Sequence, residues 1–125
     1  MPTKEELKEL QSKSLEEKIQ ISTARIIEWY ENWGGAVYIS NSGGVDSTVL
    51  SDLVHRIYPD VPDVFVDTGL EYPELKEFIK SKPNVITLYP AMNFVEVIKK
   101  YGYPLISKDV SEKVYNNRIT PNGYT

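Results

Sequence analysis

The stretch "AVYISNSGGVDSTVLSDLVHRI", residues 36–57, carries the decisive change of pattern in this chain. Residues 36–40, Ala-Val-Tyr-Ile-Ser, read as a short strand without polar alternation, which suits burial on both faces. Directly after the serines and glycines, Val49, Leu50, Leu53, Val54 and Ile57 recur on one helical stripe, with Ser51, Asp52, His55 and Arg56 opposite. The chain is therefore predicted to turn from strand to helix near Asp46 or Ser47, through a loop in which two consecutive glycines allow close backbone approach.

The same alternation extends outward. Upstream, "SLEEKIQISTARIIEWYENWGG" sets Ser14 and Glu17 at capping-box spacing, places Leu15, Ile19, Ile26, Tyr30 and Trp33 at roughly helical period, and ends in Gly34 and Gly35. Residues 1–13, with only Leu7 and Leu10 as a thin apolar face, read as a peripheral arm, and 14–125 as one domain. Downstream follow a strand, "DVFVD", a helix with Pro73 in its first turn, a strand, "NVITLY", and a helix with Phe94, Val97, Ile98 and Tyr101 on one face. Strands alternating with helices at these lengths imply right-handed crossovers and a parallel α/β sheet covered on both sides. Ligands of such sheets bind outside the carboxyl ends of the strands, so "SNSGGVDS", "DTGLEYP" and "PAMN" are expected to open on one edge.

Composition narrows the chemistry. The chain of 125 residues has a formal net charge of -4 with both signs interspersed, which gives no strong nucleic-acid signal. It contains no cysteine, so disulfides, thiolate metal sites and cysteine nucleophiles are excluded within it. No apolar segment approaches the ~20 residues needed to span a bilayer, and the opening "MPTKEELKEL" has no export-type apolar core, so no membrane partner is expected and the cytoplasm is the expected location.

The first loop has the parts of a phosphate cradle. Gly43 and Gly44 free the backbone to aim amides into a concavity, Ser42, Ser47 and Thr48 add hydroxyls, and a helix amino end supplies unpaired amides and a positive dipole. Its spacing is not that of a GxxxxGK[ST] loop. Asp46 would repel phosphate unless it also held a cation, which makes it a candidate Mg²⁺ ligand. In the second loop Gly69 permits a left-handed turn, and the Asp67 carboxylate can accept hydrogen bonds from sugar hydroxyls. Two plainer readings stay open on these residues alone: Asp46 as a helix cap, and Asp67-Thr68-Gly69 as an Asx turn.

"SGGVDS", residues 42–47, between a strand and a helix, resembles the pyrophosphate loop of the adenine nucleotide α-hydrolase superfamily, which includes ATP pyrophosphatases and phosphoadenosine phosphosulfate (PAPS) reductases. "FVDTGLEYPE", residues 65–74, is similar to the segment after the second strand of PAPS reductase-like proteins, and "YGYPLISKDVSEKV", residues 101–114, resembles them more loosely. The resemblance covers roughly residues 14–118. It implies a three-layer α/β/α fold with a parallel, Rossmann-like sheet, and an adenine nucleotide such as ATP or PAPS as ligand. Ser40, Ser42, Gly43, Gly44, Asp46, Ser47 and Thr48 would surround its phosphates. Asp67, Thr68 and Gly69 would sit by adenine or ribose, and Asp46 would hold Mg²⁺ where ATP is bound.

The departures from that family also inform. Sulfate-reducing members use a cysteine near the carboxyl end, which this chain lacks, so thiol-dependent reduction is not expected of it. Val45 stands where many relatives carry lysine. The chain resembles the nucleotide-binding half of a longer pattern, which leaves open a further carboxyl-terminal domain, a homo-oligomer, or a non-catalytic binding module. Lys108, following the loop at 102–107, is the weak catalytic candidate. His55, the single histidine, is expected at the solvated surface, and Trp29, Tyr30 and Trp33 are expected to serve helix packing.

Overall fold

A computed structural model describes residues 2–119, which divide into two compact units between Ala91 and Met92. The first unit opens with α1 (Lys4–Ser12) and α2 (Leu15–Asn32). Each helix begins with a reciprocal capping box: Thr3 with Glu6, and Ser14 with Glu17. The Ser14 bonds hold the Glu17 carboxyl below its usual range. Past α2, Gly34 and Gly35 take positive φ of 56° and 80° and turn the chain toward the sheet.

The strands are β1 (Ile39–Ser40), β2 (Asp63–Val66) and β3 (Val85–Leu88), and the crossover helices are α3 (Val45–His55) and α4 (Pro73–Lys80). All pairings are parallel, in the order β1-β2-β3, with Ile39 beside Asp63 and Val64 beside Ile86. This is the expected α/β arrangement. The first strand is shorter than residues 36–40, because the Ala36 and Val37 amides bond back to Trp33 and Gly35 and so belong to the helix exit instead of the ladder.

The core sits on one face of the sheet. Ile39, Val54 and Val61 are buried together, with Ile26 and Tyr30 of α2, Val37 and Tyr58 packed against them. Phe65 and Ile79 are also fully buried, and Tyr30 stacks on Tyr58 at a centroid distance of 3.6 Å. Val66, Ile86 and Leu88, which share the other face by register, are about half exposed. The helix α3 is rotated from its expected stripe: Ser51 is buried with Val54, while Val49 and Leu50 are about half exposed. A buried serine is tolerated because it has a buried acceptor, described below.

The second unit contains α5 (Phe94–Tyr101), which has a capping box between Asn93 and Glu96, and α6 (Lys108–Ile119). No helix among the described residues is long and apolar enough to cross a membrane. Residues 120–125 of the expected domain lie outside the described residues.

Candidate functional site

The loop between β1 and α3 is built on a buried Asx turn. Asn41 is 2% exposed, and its Oδ1 accepts the Gly43 N–H at 2.9 Å. Gly43 has φ 80°, and a Cβ there would lie 2.7 Å from Ile79 Cδ1 and 2.9 Å from Leu75 Cγ, so α4 closes over the turn from beneath. Gly44 is the N-cap of α3, extended at φ -73° and ψ 172°, with no side-chain cap. The first intrahelical bond runs from Thr48 N–H to Gly44 C=O at 3.0 Å, which leaves the Val45, Asp46 and Ser47 amides ahead of it at the helix mouth. Ser47 Oγ donates to Gly44 C=O at 3.2 Å and lies 3.2 Å from Ser42 Oγ, so the two hydroxyls stand together beside those amides.

Of the successive amides that the two glycines were expected to aim outward, the Gly44 N–H lies 3.5 Å from Ser42 Oγ. The Gly43 N–H is taken by Asn41, and the free donors begin at the helix start. Asp46 is exposed in the first turn of α3 and lines a shallow groove with Ser22 and Arg25 of α2. It makes no capping bond, since the cap position belongs to Gly44. Among the described residues no group of three or more His, Asp or Glu side chains is assembled to hold a metal, so Asp46 stands as a lone carboxylate. Ser40 is exposed at the end of β1.

The parallel pairing of β1 with β2 brings the second loop to the same sheet edge. Asp67 is buried, and its Oδ1 meets Lys76 Nζ at 3.0 Å and the Gly69 N–H at 3.0 Å, with Lys80 Nζ 3.9 Å from Oδ2. Hydrogen bonding from Lys76, then the Gly69 amide and the charge of Lys80, hold its carboxyl below the usual range against the opposing effect of burial. Thr68 closes the loop on Glu71: its N–H donates to Oε2 at 3.1 Å and its Oγ1 to Oε1 at 2.6 Å, which lowers the Glu71 carboxyl as well. The sugar-binding carboxylate expected at Asp67 is thus already bound to α4. One helix serves both loops, with Leu75 and Ile79 under Gly43, and Lys76 and Lys80 on Asp67. The two lysines gave no sequence signal beyond lying at helical spacing after the Asp-Thr-Gly turn.

A second group of residues was also hidden. Asn41, Ser51, His55 and Asp63 form a network behind the first loop: Asn41 Nδ2 and Ser51 Oγ donate to Asp63 Oδ2 at 2.7 and 2.8 Å, and His55 Nε2 lies 3.4 Å from Asp63 Oδ1. His55 is corrected from a solvated residue to one half-buried against a carboxylate, because α3 turns its Ser51 side inward. Trp29 and Trp33 are corrected in the other direction. They are 61% and 54% exposed, touch each other at 5.6 Å between centroids, and flank an open cleft of about 350 Å³ with Tyr38 and Ser40. Lys108 opens α6 in the second unit.

Comparison with known proteins places this geometry among relatives. Residues 36–116 match the model of the phosphoadenosine phosphosulfate reductase domain. An adenosine 5'-phosphosulfate reductase of Staphylococcus haemolyticus is 31% identical over 103 residues, covering 77% of this chain and 42% of that protein. The protein of the same description from Geobacillus kaustophilus is 34% identical over 103 residues, 77% of this chain and 44% of its own length. A phosphoadenosine 5'-phosphosulfate reductase of Serratia proteamaculans is 38% identical over 60 residues, 47% of this chain and 25% of that protein. The chain spans less than half the length of these curated relatives.

Proposed function

The chain belongs to the phosphoadenosine phosphosulfate reductase domain family, and on that premise we propose that its first loop binds the phosphate or sulfate groups of an adenine sulfonucleotide. The observation that carries this reading is the mouth of α3. The Val45, Asp46 and Ser47 amides, the Ser42 and Ser47 hydroxyls and the positive end of the helix dipole lie together at the helix mouth, at the carboxyl edge of a parallel sheet. Thr48 and Ser40 flank the same loop, and Gly44 keeps it free of a Cβ. The loop Asp67-Thr68-Gly69 would bound the nucleoside side, with Lys76 and Lys80 supplying the positive charge that Val45 does not.

The Asp46 carboxylate favours a second reading, in which a polyphosphate such as ATP binds with Mg²⁺. A single protein carboxylate suits an ion whose remaining ligands are phosphate oxygens and water, and the ion would supply charge neutralisation at the phosphates. In either case this chain's residues bind, orient and stabilise negative charge. No side chain in it can serve as a cysteine nucleophile, so binding without thiol-donor-dependent sulfite release is expected of these 125 residues.

The test is calorimetric titration with adenosine 5'-phosphosulfate, PAPS, and ATP with and without Mg²⁺, on the wild type and Gly44→Val. Gly44 has an extended backbone, and a Cβ there meets only Ser42 Oγ at 3.5 Å, so the variant should fold and place its branched side chain over the amides. Saturable binding that falls at least about tenfold in Gly44→Val, the equivalent of ~1.4 kcal/mol, is expected. Unchanged affinity in the folded variant refutes the site.

A further inference from the structure

Behind the loop, Asp63 is 1% exposed, and its Oδ1 is buried with no hydrogen-bond partner. A buried carboxylate oxygen left unpaired is costly unless a charge compensates it. Among the described residues the cationic candidate facing it is His55, whose Nε2 is 3.4 Å away. The ring's other polar neighbours are the Val61 carbonyl at 2.9 Å from Nε2 and, on its own helix, Ser51 Oγ at 3.5 Å from Nδ1. A carbonyl only accepts, so Nε2 carries a hydrogen. The one hydroxyl hydrogen of Ser51 is engaged in the shorter bond to Asp63, so its oxygen turns a lone pair toward Nδ1. Both ring nitrogens thus face acceptors, at 2.9 and 3.5 Å.

The other carboxylate oxygen, Oδ2, is met by Asn41 at 2.7 Å. A carboxylate only accepts, so Asn41 must present Nδ2 to it, and Oδ1 is thereby left for the Gly43 N–H. The acceptor character of Asp63 sets the sense of the Asn41 amide, and that amide sets the Gly43 turn. We infer that Asp63 is the positioning residue of the first loop, acting through Asn41 on Gly43, and that His55 is its counter-charge, so that the charge on the His55 ring is felt through this relay at the Gly43 amide. The consequence for ligands rests on the anion-binding reading given above.

Nuclear magnetic resonance of the full chain tests the relay without a ligand, and the single histidine makes the imidazole signal unambiguous. As pH is varied, the Gly43 amide shift should inflect at the His55 midpoint. That inflection should vanish in His55→Gln, and in Asn41→Ala it should vanish while His55 still titrates. A wild-type Gly43 amide that ignores His55, or an inflection that persists in either variant, overturns the proposal. Pyrophosphate affinity, measured by calorimetry on both sides of the midpoint, should be about fivefold tighter with His55 protonated, relative to His55→Gln, which cancels the ionisation of pyrophosphate itself. Equal pH dependence in the two proteins overturns the coupling to ligand. An intact Gly43 inflection with no pyrophosphate binding supports the relay and refutes the anion reading instead.

Discussion

Two adjacent glycines that look equivalent in the sequence should behave oppositely when each is replaced by alanine. At Gly43 the backbone is left-handed, φ 80°, which costs an L-residue about 1–2 kcal/mol. The new Cβ would also stand 2.7 Å from Ile79 Cδ1 and 2.9 Å from Leu75 Cγ. Ile79 is wholly buried, and the Leu75 atom is a branch point, so neither contact is relieved by swinging a free end. Forcing a methyl into such packing costs about 1–3 kcal/mol, giving a total of roughly 2–5 kcal/mol for Gly43→Ala. At Gly44, φ is -73° and the nearest atom to a Cβ is Ser42 Oγ at 3.5 Å. There the poorer helix cap and the reduced entropy of the unfolded chain nearly offset each other, and the net change should stay within about 1 kcal/mol. Urea unfolding followed by far-ultraviolet circular dichroism reads both variants, with an unchanged slope and a shifted midpoint expected for Gly43→Ala. Equal midpoints for the two variants, or a Gly43→Ala protein as stable as wild type, would refute the claim that α4 closes over this turn.

Two titration predictions follow from the same contacts. The Asp67 carboxyl is held low by Lys76, so between its folded and unfolded pKa values the unfolded chain binds more protons, and stability rises with pH. The stability advantage of wild type over Asp67→Asn should be complete above the unfolded value of about 3.9 and vanish as pH falls through the lower folded value; a difference independent of pH in acid unfolding experiments would contradict the ion pair. Tyr58 is shifted upward, first by burial and then by Glu31 and Tyr30, so the sign reverses: its contribution is complete below the unfolded value of about 10 and lost as pH rises through the folded one. Alkaline difference spectroscopy should show a tyrosine ionisation displaced to higher pH that Tyr58→Phe removes; identical titration curves would count against the stacked pair.

The pattern of residues alone determined the α/β alternation, the capping boxes at Ser14, the proline start of α4 and the placing of both loops after parallel strands, because each rests on spacing within a few residues. Period and caps are local properties, and they remain readable without knowing what lies across the core. The rotation of α3 was decided by tertiary structure. Leu50 and Val49 outweigh Ser51 in apolarity, yet Ser51 is the buried one, since Asp63 lies 12 positions away in the chain and offers it an acceptor. The same long-range pairing brought His55 inward and gave Asn41 its role, across 22 positions to Asp63. The difference between Gly43 and Gly44 likewise depends on where α4 packs, and the ion pair at Asp67 depends on which face α4 presents. A carboxylate or an amide in a sequence shows what it can bond to, but only the fold brings a partner within 3 Å and removes the water that would otherwise have taken its place.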